Sequence, residues 1–462
     1  MCGIVGYVGS REVVPLLIDG LSRLEYRGYD SAGVVVIAAD GCFETVKAEG
    51  KLDRLKEKLA KHPLGGRYGL GHTRWATHGA PSERNAHPVV DSRRRIALIH
   101  NGIIENFLPL KKRLMAEGWT FTSDTDTEVV ANLVSSYLQG DLRSAVAQAV
   151  QELQGMYAFA VVTTESAGDG GQEIVAARQG PPLVIGLAEG EQFLASDPAA
   201  LIVHTKDVIF LENGDLARLT PGGVDIVDRA GKPVERPVQH LNWDPIQAEK
   251  GGYKHFMLKE IHEQTQAVQD TFAGRVDFES CRIHFDTLRL SEADFQSFDR
   301  VVLLACGTSW HAGLVGKFLI EELVGLPVEV DYGSEYRYRR PVVSDRVLAV
   351  GISQSGETAD TLSAMEAAHE RGARLLTISN VLGSQATRIG EGTIYTHAGP
   401  EIGVASTKAF TTQLVALYLL AVYLKEVRTG EPDRERLDDL AKLPHAVDEV
   451  LRLEKQMETL AR

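Results

Sequence analysis

Val347-Leu-Ala-Val-Gly-Ile352, running into Ser353-Gln-Ser-Gly-Glu-Thr358, is a continuous apolar stretch that ends abruptly in a polar, glycine-containing turn. A strand without apolar/polar alternation is buried on both faces, as in a parallel sheet covered by helices. The same rhythm occurs upstream, where Val301-Val-Leu-Leu-Ala305 enters Cys306-Gly-Thr-Ser309, and Leu375-Leu-Thr-Ile378 supplies a third strand. Apolar strands alternating with helices predict an α/β doubly wound parallel sheet, in which ligands bind beyond the carboxyl ends of the strands. Both polar turns fall at that edge.

Upstream of residue 228 the rhythm is different. Short β-rich runs such as Ala32-Gly-Val-Val-Val-Ile37, Ile96-Ala-Leu-Ile99 and Tyr157-Ala-Phe-Ala-Val-Val162 are separated by a few helical stretches. One of these, Glu128 to Leu138, has apolar residues at helical spacing, with Asp124 and Thr125 available as caps. This predicts an α+β region of packed sheets with helices outside. Residues 228–252 turn polar, with Pro233, Pro237, Pro245 and a Gly251-Gly252 pair, and read as a linker. The expected organisation is therefore a first domain over 1–227, a linker over 228–252, the α/β domain over 253–430 and a helical segment over 431–462.

Bulk properties exclude several function classes. Lys plus Arg number 49 against 63 Asp plus Glu, a net charge of −14, which argues against general affinity for nucleic acid or anionic membrane. The four cysteines, Cys2, Cys42, Cys281 and Cys306, are far apart and form no CxxC pair, so neither a disulfide framework nor a zinc site is predicted. The start lacks the basic and apolar regions of a signal peptide, and the longest apolar run, Leu414 to Leu424, is too short to span a bilayer. A cytoplasmic protein is expected.

The first domain carries the parts of an acyl-transfer site. In Met1-Cys2-Gly-Ile-Val-Gly6, loss of the initiator Met would leave a thiol and a free α-amine on one residue, a nucleophile with its own base. Asn101 offers a side-chain amide and Gly102 a closely approachable N–H, the donors an oxyanion needs. Arg74 could hold an α-carboxylate and Asp126 an α-ammonium. Each has a plainer reading: Cys2 as a small core residue, Trp75 as packing, Arg74 as a structural ion pair, Arg27 with Asp30 as a turn pair. His72, His78, His87 and His100 lie close in sequence, but their spacings match no common metal-ligand pattern. In the second domain, Ser353, Ser355 and Thr358 at a helix start could cradle a phosphate without a Lys, which favours a sugar phosphate over ATP. The alternative is helix N-capping by the same hydroxyls.

Taken together, Cys2-Gly-Ile-Val-Gly, Arg27-Gly-Tyr-Asp-Ser, His72-Thr-Arg-Trp-Ala-Thr-His, Asn101-Gly-Ile-Ile-Glu-Asn and Asp124-Thr-Asp-Thr-Glu closely resemble the class II glutamine amidotransferases with an N-terminal nucleophile. The second half, with Glu401-Ile-Gly-Val-Ala-Ser-Thr-Lys-Ala-Phe410, is similar to the sugar isomerase (SIS) domain of the branch that aminates fructose 6-phosphate. The resemblance runs almost from end to end. It implies a four-layer αββα N-terminal-nucleophile domain before the SIS domain, and an enzyme making D-glucosamine 6-phosphate and glutamate from D-fructose 6-phosphate and L-glutamine. It further implies Cys2 as nucleophile, Asn101 and Gly102 as oxyanion hole, Arg74, Thr77, His78 and Asp126 as glutamine contacts, and Trp75 as an ammonia gate. Thr308, Ser309, Ser353, Gln354, Ser355, Thr358 and Ser406 match its sugar-phosphate contacts, with Val404 contributing backbone. No metal or organic cofactor is implied, and a homodimer is. Trp310 stands where the family usually has Tyr. Family members carry two SIS domains, and only one is read here, so the isomerase half is expected to be incomplete. Alternatives are the glutaminase half of another class II enzyme, or a non-enzymatic sugar-phosphate sensor.

Overall fold

The computed structural model describes residues 2–24, 28–76, 78–165, 171–241 and 252–462, and the chain divides into two compact units, Met1–Ala248 and Glu249–Arg462. The first unit is built on two antiparallel sheets. One runs Gln239–His240, Asp207–Phe210, Val184–Ala188, Glu191–Ala195, Gly3–Val8, Tyr68–Arg74, Ser31–Ile37, Phe43–Glu49. The other runs Gly223–Val227, Leu216–Thr220, Ile174–Gln179, Gly155–Thr163, Ile96–Ile104, Val89–Val90. Ile4, Val8, Val35 and Leu70 of the first sheet pack against Ala97, Ile99, Ala158, Ala160 and Val162 of the second, all buried. On the outer face of the first sheet Val5 meets the helix Val13–Leu24 at Gly20, where an added Cβ would lie 3.0 Å from Val5. On the outer face of the second, Ile96, Leu98 and Phe159 pack against Val130, Leu133 and Val134 of Asp126–Tyr137 and Val146 of Leu142–Glu152. The period-2 alternation of the strands thus sends one set of side chains inward and the other to the helices, giving the predicted αββα layers.

Two details depart from the sequence reading. The helix read from Glu128 begins at Asp126, and although Thr125 occupies its N-cap position, neither of the proposed caps makes a capping bond there. Thr125 meets Ser123 Oγ at 2.9 Å, and Asp124 accepts from Asn85 at 3.2 Å and pairs with Arg84. The turn is instead shaped by buried Glu128, which accepts from Thr122 N at 2.7 Å and Ser123 N at 2.6 Å. In the stretch read as linker, Gln239–His240 extends the first sheet, and Arg236 binds Asp215 at 2.7 Å. Residues 242–251 lie outside the described residues.

The second unit holds a five-stranded, all-parallel sheet in the order Val328–Tyr332, Arg300–Ala305, Val347–Ser353, Arg374–Ser379, Thr393–Tyr395. In chain sequence that is 2-1-3-4-5, a doubly wound order whose direction reverses between the first and third strands. Three strands match the apolar runs. Val328–Tyr332, partly exposed at one edge, and the three-residue Thr393–Tyr395 do not stand out by pattern. The apolar run at 414–424 lies inside the helix Lys408–Thr429, which has the length and composition of a membrane span, but 67% of its most apolar window is buried in this unit. Leu417, Leu420 and Leu424 pack there on Leu303, Leu348 and Ile320. Helices Arg434–Leu451 and Glu454–Ala461 end the chain. Because Leu420 is fully buried, Leu420→Ala is expected to cost about 2–5 kcal/mol, to be read as a lowered urea midpoint for the second unit.

Candidate active site and sugar-phosphate crevice

Pairing places the predicted nucleophile. Gly3 is opposite Thr73 in the antiparallel ladder, so Cys2, one step outside it, falls beside Arg74 and Trp75 at the end of the neighbouring strand. Trp75 N–H donates to Cys2 Sγ at 3.1 Å, and the thiol in turn reaches Trp75 O at 3.4 Å. Burial pushes the Cys2 thiol up from its ordinary range, opposed by the Trp75 bond and the positive charge of Arg74. A thiol held in its protonated form needs a base to react, which the sequence reading assigns to the α-amine freed by loss of Met1.

Asn101 comes from the facing sheet. Its Nδ2 donates to Cys2 O at 3.0 Å, leaving a second amide proton for another acceptor. Gly102 is required by geometry: its φ is 126°, and a Cβ would lie 2.0 Å from Met156 O. Arg74 is buried, bonds the carbonyls of His78 and Gly79 (the latter at 3.0 Å), and has its Nη1 buried with no partner among the described residues. Burial lowers its affinity for a proton, while Cys2, Asp30 and Asp126 raise it. Asp126, also buried, accepts from Ile104 N at 2.9 Å. Asp30 accepts from Ala76 N at 2.7 Å and fixes the turn after Trp75, while its reading as a turn pair with Arg27 falls on a residue outside the described ones. Trp75 is 43% exposed and meets the Tyr29 ring edge-on, so it is not core packing. His78 lies against Phe107 and serves Arg74 through its carbonyl. Arg27 and Thr77 lie outside the described residues.

Sequence reasoning missed what lies beneath Asn101. His72, His87 and His100 are buried, with His87 and His100 joined through Thr127 and His72 reached by His87 Nδ1 at 3.3 Å; His72 Nε2 is 3.0 Å from Asn101 Oδ1, and His87 Nε2 is 3.0 Å from Thr127 Oγ1. No metal-binding cluster of His, Cys, Asp and Glu occurs among the described residues. Strand alternation could have revealed that His72, in phase with Leu70, points between the sheets and that His100, in phase with Ile96 and Leu98, points to the helix side, where it meets Thr127; that His87 joins them follows only from the chain's return past Gly33, where a Cβ would lie 2.3 Å from His87 O.

In the second unit the predicted phosphate-binding turns meet at the point where the strand order reverses. Ser353 Oγ bonds Thr358 Oγ1 at 2.9 Å and accepts from Gly356 N at 3.1 Å. Gly356 has φ 64°, and a Cβ would sit 1.9 Å from Ser384 Oγ, so the turn needs glycine. Gln354 O accepts from Asn380 N at 3.1 Å, and Ser355 Oγ from Glu357 N at 3.2 Å. Thr358 occupies the N-cap position of Ala359–His369 but makes no side-chain capping bond, nor does Cys306 before Gly307–Val324, whose first turn carries Thr308 and Ser309. The capping alternative is therefore not realised at Thr358. Ser406 does not bond the Ser353–Thr358 turn; its hydroxyl donates to Glu401 at 3.1 Å, and Val404 is 70% exposed. Two carboxylates unread in the sequence shape that loop. Glu401 accepts from Thr407 N at 2.8 Å and Ala409 N at 3.1 Å, and Glu260 from Ile402 N at 2.6 Å and Gly403 N at 2.9 Å. Trp310 stacks on Tyr332 with ring centres 4.3 Å apart, which accommodates the departure from Tyr.

A relative from Symbiobacterium thermophilum, a glutamine–fructose-6-phosphate aminotransferase (isomerizing), is 51% identical over 465 residues, covering all of this chain and 75% of its own length. The chain belongs to the glutamine–fructose-6-phosphate aminotransferase family. A Thermus thermophilus member is 51% identical over 455 residues, spanning 98% of this chain and 74% of its own. The glutamine amidotransferase domain model matches residues 72–203 and the SIS domain model residues 294–423. Among solved structures, the C-terminal domain of glucosamine-fructose-6-phosphate aminotransferase from Francisella tularensis is 37% identical, covers 46% of this chain and 60% of its own, and has a TM-score of 0.44.

The buried histidines give the first unit a pH signature. Burial drives His72 down to about 3 and His87 well below the usual range. Both bind protons more readily when unfolded, so their contribution to stability is complete above the unfolded value of ~6.5 and is lost as pH falls below it, by ~1.4 kcal/mol per pH unit for each. Urea unfolding of the first unit should weaken steadily from pH 6.5 to 5, and His87→Gln should flatten that slope.

Proposed function

We propose that this chain hydrolyses L-glutamine at Cys2 and binds D-fructose 6-phosphate as the acceptor of the released nitrogen, in the reaction whose overall products are D-glucosamine 6-phosphate and L-glutamate and whose isomerase half is read as incomplete in these residues. The observation that carries the reading is the meeting of Cys2, Trp75 N–H and the Asn101 amide at the junction of two sheets. Cys2 Sγ attacks the side-chain amide carbon of glutamine, and the Cys2 α-amine, freed by removal of Met1, takes the thiol proton and passes it to the leaving ammonia. Asn101 Nδ2 and Gly102 N–H hold the oxyanion. Water then attacks the glutamyl thioester, with the same amine taking its proton, and glutamate departs as the thiol is restored. Arg74, through its free Nη1, holds the glutamine α-carboxylate and Asp126 its α-ammonium; His78, and by the family resemblance Thr77, are further glutamine contacts, and Trp75 gates ammonia.

The sugar phosphate sits in the crevice of the second unit. Ser353, Gln354, Ser355 and Thr358, with Thr308 and Ser309, hold the phosphate at two helix starts whose N–H groups lack side-chain caps. Val404 and Ser406 approach from the loop tied by Glu401 and Glu260. A non-enzymatic sensor would have no use for the Cys2–Asn101 pair.

Purified protein is assayed for glutamate release and, separately, for glucosamine 6-phosphate. Cys2→Ala is expected to abolish glutamate release, and Asn101→Ala to lower kcat by roughly 10²–10³-fold. Unchanged hydrolysis in Cys2→Ala would refute the assignment of the nucleophile. Ser355→Ala is expected to weaken fructose 6-phosphate binding at least ten-fold by calorimetry and to leave glutamine hydrolysis intact.

A further inference from the structure

Three buried histidines and a threonine stand behind Asn101, and the proposed glutamine chemistry gives them no task. Their hydrogen-bond directions can be deduced. Cys2 O can only accept, so the Asn101 atom 3.0 Å away is Nδ2, and Oδ1 faces inward. Oδ1 in turn can only accept, as can His100 O; His72 Nε2 is 3.0 Å from the first and 3.1 Å from the second, so it must carry the ring proton. His87 Nδ1, 3.3 Å from that nitrogen, is then the bare one, and His87 Nε2 bears the proton and donates to Thr127 Oγ1 at 3.0 Å. The Thr127 hydroxyl, with two lone pairs, can accept from His87 while meeting His100 Nδ1 at 3.0 Å.

We propose that Thr127, acting through the fixed tautomers of His87 and His72, is a positioning residue for Asn101: it keeps the amide turned so that its N–H groups, not its carbonyl, face the thiol. The proposal rests on the reading of Asn101 as an oxyanion donor. In the reverse sense His87 would protonate at Nδ1 and donate to His72 Nε2. That nitrogen would then be bare, and Asn101 would gain by turning Nδ2 inward and presenting Oδ1, a repulsive partner, to the developing oxyanion. Cys2 O and His100 O already favour the productive sense at Asn101 and His72, and the hydroxyl acceptor at residue 127 secures it at His87, a ring that no obligate acceptor fixes. Thr127 is the residue after Asp126 in the same helix, so a mere disturbance of that helix would show first in the grip on the substrate α-ammonium.

The test is steady-state glutamine hydrolysis by the full chain. Thr127→Val, which keeps shape and removes the acceptor, is expected to lower kcat roughly ten- to hundred-fold, part of what loss of an oxyanion donor costs, with KM changed less than about two-fold. Thr127→Ser is expected to recover kcat to within about three-fold of the parent. A Thr127→Val variant with parental kcat, a loss carried entirely by KM, or failure of Ser to rescue would each overturn the proposal. Proton–nitrogen spectra of 15N-histidine-labelled parent protein provide a reading that needs no variant: Nε2–H tautomers at His72 and His87 are expected, and an Nδ1–H form at either overturns it. Asn101→Ala separates the two layers. If that variant hydrolyses glutamine normally, the reading of Asn101 fails; if it is impaired while Thr127→Val is not, only the positioning role fails.

Discussion

The register between Gly3–Val8 and Tyr68–Arg74 is the constraint on which the first unit depends. One residue of slip would turn every side chain of the first strand to the other face, taking Ile4 and Val8 out of the intersheet core and Cys2 away from Trp75. Close packing helps hold it. A Cβ on Gly3 would lie 2.5 Å from Thr73 Oγ1, and one on Gly28 2.8 Å from Thr73 O, so both glycines are needed where the chain crosses the end of this strand. A rigid junction matters chemically because an oxyanion donor helps only if it is already aimed when charge develops.

The second unit reaches its crevice by a different constraint. Its five parallel strands have no edge at which hairpins could gather ligand groups, so polar side chains are concentrated where adjacent strands send their helices to opposite faces. Ala305 pairs with Ile352, which brings the turns after both strands to one level. Neither Ser353 nor Thr308 is unusual alone; the strand order gives them a common target.

The sequence disclosed most of this architecture where its signal is local. Unbroken apolar runs marked three of the five parallel strands, because strands buried on both faces cannot alternate. The outer strands Val328–Tyr332 and Thr393–Tyr395 were not legible: one is half-solvated and the other is too short for any period to show. Most of the proposed catalytic residues were legible because they sit in compact motifs, and Cys2, Trp75 and Asn101 do come together. Glu260 and Thr127 were hidden for the opposite reason. Each acts on residues distant in sequence, Glu260 on Ile402 and Gly403, Thr127 on His87 and His100, and a single polar residue on a helix looks the same whether it faces solvent or a buried partner.

The helix starts of the second unit are unevenly treated. The helix Gln385–Ile389 receives Glu357 at its first N–H, at 2.8 Å, and Lys408–Thr429 receives Glu401, while Glu292–Ser297 and Arg434–Leu451 are capped by Ser291 and Asp433. The two helices at the reversal point have no side-chain cap, a lack they share with Phe256–His262 and Gln264–Phe272. A missing cap costs about 1 kcal/mol, so the unliganded second unit gives up stability where a bound anion would restore it. Occupancy and folding are then thermodynamically linked, and every decade of ligand concentration above the dissociation constant adds about 1.4 kcal/mol to the unit's resistance to unfolding. An anion held at the two helix starts of the reversal point would thereby lengthen the life of the unit that binds it.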